Sequence, residues 1–85
     1  MKDLVLHILT AIVDHPEDIV VEETGSEERM LVTIKVNQED IGKVIGRQGR
    51  IIHAIRDLVK LRAAKEHRYV DVELLEDAPA AAPEN

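Results

Sequence analysis

The residues of this chain best suited to chemistry lie in one stretch, Ile41-Gly42-Lys43-Val44-Ile45-Gly46-Arg47-Gln48-Gly49-Arg50-Ile51-Ile52. Gly46 and Gly49 bracket Arg47 and Gln48, and Lys43 and Arg50 stand just outside. Glycine takes the positive-φ conformation that closes a helix, so Gly46 is expected to end one. Gly49 opens the next helix, and its missing side chain lets another backbone come close. The first turn of that helix presents unpaired N–H groups and the positive end of its dipole, which attract an anion. Arg47 and Arg50 at that end cost about 0.3–1 kcal/mol each. A bound anion would reverse the sign of both terms, so the chemistry implied is anion binding.

Several elements must position these groups. Lys2 to His15 reads as an amphipathic helix, with Val5, Ile8, Leu9, Ile12 and Val13 at helical spacing and Asp3, His7 and Asp14 towards water. Pro16 stops it, because proline disfavours helical geometry in the residue before it. Ile19 to Thr24 reads as a strand, Gly25 to Glu28 as a turn, and Arg29 to Val36 as a second strand whose Met30, Val32, Ile34 and Val36 share one face. Asn37 is a good N-cap, and Glu39 and Asp40 place negative charge in the first turn of a short helix ending near Ile45. A longer helix runs from Arg50 to Lys65, its inward stripe read as Ile51, Ile52, Ile55, Leu58, Val59 and Arg62. Arg68 to Leu75 alternates again, with Val70, Val72 and Leu74 inward and Asp71, Glu73 and Glu76 outward.

The order α-β-β-α-α-β predicts an α+β fold, a two-layer sandwich of a three-stranded mixed sheet with three helices on one face. The last strand follows a helical crossover from the second, so as that strand's neighbour it runs parallel to it. Residues 1–77 form the domain, and Ala78 to Asn85 (APAAAPEN) read as a disordered tail.

Charge is polarised. The chain of 85 residues carries a net −6. Between Lys43 and Arg68, however, lie eight basic residues and two acidic ones, giving +6 and leaving −12 elsewhere. One segment attracts anions while the rest repels them. Arg56, Lys60, Arg62 and Lys65 read mainly as a solvated face that adds long-range attraction.

Other classes fall away. Without cysteine there is no disulfide, thiolate nucleophile or Cys-based zinc site. His7, His15, His53 and His67 form no close ligand cluster, so no metal is expected. The glycines fit neither GxxxxGK[ST] nor GxGxxG after a strand, so no nucleotide cofactor is expected, and no second catalytic element accompanies the carboxylates. An enzyme is not indicated. The apolar runs are too short to span a membrane and the N-terminal pattern is not that of a signal peptide, so the expected location is the cytoplasm. With Tyr69 the only aromatic residue, the core must be built from Ile, Leu and Val, and a stability of about 5 kcal/mol is expected.

Val44-Ile45-Gly46-Arg47-Gln48-Gly49-Arg50-Ile51-Ile52 resembles the VIGxxGxxI signature of KH domains, and the element order resembles their type II arrangement over about Lys2 to Glu76. A stand-alone domain of this length is similar to the small bacterial KhpA-type RNA-binding family. That resemblance implies a single-stranded RNA partner, its backbone clamped by the GxxG loop over about four nucleotides. Carried onto this chain, Gly46, Arg47, Gln48 and Gly49 would contact phosphates, with charge from Lys43 and Arg50. Ile41, Val44, Ile45 and Ile52 would form an aliphatic floor for bases, and Arg68 would stand on the opposite wall. Such a floor lacks the aromatic platforms worth about 1–3 kcal/mol per base, so one domain should bind weakly. The resemblance further implies post-transcriptional regulation or RNA chaperoning, and pairing as a homodimer or with a larger Jag-like KH protein. The alternative is a protein-docking module using Glu22, Asp71 and Glu73, with RNA contact secondary.

Overall fold

The computed structural model describes residues 1–75; the expected tail and the last residues of the 1–77 range lie outside the described residues. Three α-helices, α1 (Lys2–Thr10), α2 (Ile41–Ile45) and α3 (Arg50–Lys65), pack with three strands, β1 (Val20–Gly25), β2 (Arg29–Lys35) and β3 (Tyr69–Leu74). The sheet order is β1-β2-β3, with β1–β2 antiparallel and β2–β3 parallel. The fold is thus α+β with a mixed sheet, and the crossover through α2 and α3 delivers β3 beside β2 as the sequence implied.

Alternation along the strands buries one sheet face. Val21, Val32, Ile34, Val70 and Val72 join Val5, Leu9, Val44, Ile55 and Val59 in the core. Each fully buried aliphatic side chain contributes about 1.5–3 kcal/mol. Strand boundaries fall within one residue of the expected ones. Two helical expectations need correction. The first helix stops at Thr10, not His15, because the N–H groups of Asp14 and His15 turn to the Asp40 carboxylate at 3.1 and 2.9 Å. The inward stripe of α3 is Ile52, Ile55, Val59 and Ala63, while Leu58 and Arg62 are exposed. Ala63 takes the inward position expected of Arg62.

Candidate nucleic-acid interface

A short helix, a bend and a long helix build the site. The Gly46 N–H bonds the Gly42 carbonyl at 2.9 Å, and Gly46 leaves α2 at φ 77° and ψ 176°. A Cβ there would also fall 2.6 Å from the Ile51 side chain, so glycine is required by conformation and by space. Gln48 (φ 58°) and Gly49 (φ 75°) are left-handed too. For Gln48 this is strain of about 1–2 kcal/mol, of the kind that collects at ligand sites. Nothing lies within 4 Å of a Cβ built on Gly49, so no part of the fold itself approaches it and the position is open from outside. Its positive φ is what calls for glycine, and the space above it is open. No side chain caps α3 and no acid sits in its first turn. The positive dipole end therefore faces solvent beside the bend.

The basic residues divide by commitment. Arg47 and Arg50 are exposed and make no ion pair among the described residues. Lys43 is engaged instead by Asp14, whose carboxylate it bonds. That bond holds Asp14 below the usual carboxylate range and raises Lys43 above the usual amine range. The pair is set by a group that sequence reading took only for helix-start charge. Asp40 is 1% exposed, and its carboxylate accepts the Asp14 and His15 backbone N–H groups, fixing where the Asp14 side chain emerges. His15 bonds Glu39 across 3.1 Å, and that contact raises its pKa despite partial desolvation.

Of the expected aliphatic floor, Ile41 and Ile45 are half-buried and remain reachable from solvent. Val44 is fully buried and Ile52 is 8% exposed, so these two serve the core and shape the floor from beneath. Arg68 does not join the loop. The 16 residues of α3 separate them, about 24 Å at the helical rise. There its Nε donates to the Glu27 carbonyl at 2.7 Å and its Nη1 meets Glu66 at 3.3 Å, pinning the hairpin turn.

Between the two ends runs a basic seam that sequence reading assigned to solvent. Arg56 lies on α3 and its Nε donates to the Val72 carbonyl on β3 at 3.1 Å. One turn on, Lys60 lines a cavity of about 550 Å³ with Arg29, His67, Arg68, Tyr69 and Asp71. The bend, Arg56 and this cavity thus follow one helix from end to end.

Residues 2–74 match the family described as KhpA/KhpB, KH domain. The chain is 51% identical over 75 residues to the RNA-binding protein KhpA of Clostridium perfringens, covering 88% of this chain and 100% of that one. It is 47% identical over 75 residues to the KhpA of Caldanaerobacter subterraneus, with the same coverage of both chains. It is 40% identical over 76 residues to that of Listeria monocytogenes, covering 89% and 100%. No solved structure matches the chain significantly.

Proposed function

The chain belongs to the KhpA/KhpB KH-domain family, and from that premise we propose that it binds single-stranded RNA through the Gly46-Arg47-Gln48-Gly49 bend. The observation that carries this reading is the bend itself. Left-handed residues at Gly46, Gln48 and Gly49 turn the chain beside an uncapped helix start, with Arg47 and Arg50 unpaired among the described residues. Backbone N–H groups and guanidinium groups of this kind recognise a phosphate backbone, which every RNA shares. Ile41 and Ile45 give the bases an apolar rest, and Lys43 adds charge where it is released from Asp14. The protein acts by binding, as a post-transcriptional regulator or RNA chaperone, and not by catalysis.

No described helix is long and apolar enough to cross a membrane, and the cytoplasm, where transcripts are met, is the proposed location. Pairing with a second copy or with a larger Jag-like KH protein completes the proposal. It is supported by the two names in the family description and by Leu58 and Leu61, 50% and 70% exposed on α3.

Replacing Arg47 and Gln48 together by Asp tests the reading. Both side chains are exposed, Asp tolerates the left-handed conformation, and acids near a helix start are stabilising. The double variant should therefore melt no lower than the parent while its RNA affinity falls about tenfold or more at low salt. Equal affinity of the two proteins in a filter-binding titration would refute this use of the bend.

A further inference from the structure

The chain's single aromatic residue sits at the far end of the basic seam. Tyr69 opens β3 and is 72% exposed, although burying a ring of this size is ordinarily favourable. The Arg29 guanidinium lies over the ring, 5.6 Å from its centroid, which holds the ring in place and leaves most of its surface open. Lys60 and Arg68 bring further positive charge to the same 550 Å³ cavity, which His67 and Asp71 also line. His67 is held at φ 60°, a second non-glycine residue in the left-handed region beside the one in the bend.

We propose that this cavity is a second RNA contact, in which an unpaired nucleobase stacks on Tyr69 while Lys60 holds the flanking phosphate. An exposed, pre-oriented aromatic ring bordered by cations is what a single-stranded base requires, since every base has a face to stack and a phosphate beside it. The site answers the want of a stacking platform in the aliphatic floor beside the bend. The inference rests on the RNA-binding reading and extends it. A strand gripped at the start of α3 runs along Arg56 and ends with a base on Tyr69.

The composition supplies the test. With one tyrosine and no tryptophan or phenylalanine, the protein's intrinsic emission reports this site alone. Titrating the full chain with a uridine octamer should quench that emission, and an abasic octamer of the same length should quench it far less. Tyr69→Ala should weaken octamer binding about 5- to 100-fold, whereas Tyr69→Phe should bind as the parent does. Emission unchanged at saturating octamer, or parental affinity in Tyr69→Ala, would overturn the site. Loss of binding in the Arg47/Gln48 double variant alongside either of those results would overturn it while sparing the bend. Quenching that persists undiminished in that double variant would instead uphold the Tyr69 site and discard the bend.

Discussion

Of the basic residues flanking the bend, Lys43 alone has an ion-pair partner among the described residues, and that partner is a carboxylate, which meets the ammonium group as a phosphate would. On the proposed reading, RNA competes with Asp14 for this ammonium group. Replacing Asp14 by Asn should release Lys43, raising RNA affinity a few-fold at low salt. It should also steepen the dependence of log affinity on log salt by about 0.7, the single-strand value for one added phosphate contact. A Lys43→Ala background should abolish both changes, and anisotropy titrations across a salt series would show whether it does. Nothing in the sequence announced this pair, because Asp14 and Lys43 are 29 positions apart. The bend was legible because its signals are local: glycines three apart, arginines beside them and aliphatics around. The role of Asp40 was hidden for the opposite reason. An acid at a helix start fits the dipole, and only the fold reveals that its carboxylate is buried and holds two distant N–H groups.

Elements were read well where periodicity alone determines them, as in the strands, and less well where a distant group intervenes. Thr10 ends α1 with its hydroxyl on the Leu6 carbonyl at 2.6 Å, and the Ala11 and Ile12 N–H groups shift to the tighter spacing, bonding Ile8 and Leu9. Asp40 then draws the chain away, so the helical pattern through Val13 outlasts the helix. The far end of α3 shows the converse. His67 N–H bonds Ala64 and Arg68 N–H bonds Ala63, the paired closure that ordinarily uses glycine at the left-handed position. With histidine there, sequence offered no stop signal. His67→Gly should relieve the left-handed conformation and stabilise the fold by about 0.5–1 kcal/mol, read as a higher denaturation midpoint with an unchanged slope. A lower midpoint would mean that the His67 side chain contributes more than its backbone costs. The inward stripe of α3 was misread by its polar member, since a long Arg62 chain cannot pack where the small Ala63 fits against α3's neighbours.

At the scale of the whole molecule, charge and apolar surface are separated. The outer sheet face carries Glu22, Thr33 and Glu73 side by side in register, four residues along β3 from Tyr69, so a phosphate strand is repelled from that part of the face. The basic groups follow α3, and attraction is confined to one side despite the net −6. The outward face of that same helix carries Leu58 and Leu61 one turn apart, too few to bury within the fold and well placed to meet a second copy. A pair formed there would present two seams to one transcript, so that the second contact is intramolecular and affinity for long RNA exceeds that for short. Changing Leu58 and Leu61 together to Glu, a good helix former, should leave the monomer folded. Sedimentation should then report a single chain, binding of a uridine octamer should stay within about twofold, and affinity for a long unstructured transcript should fall about tenfold or more. A variant that sediments as the parent does would place the pairing surface elsewhere. One that is monomeric yet grips long RNA undiminished would show that each domain works alone, its weak aliphatic floor compensated within one seam and not by a neighbour.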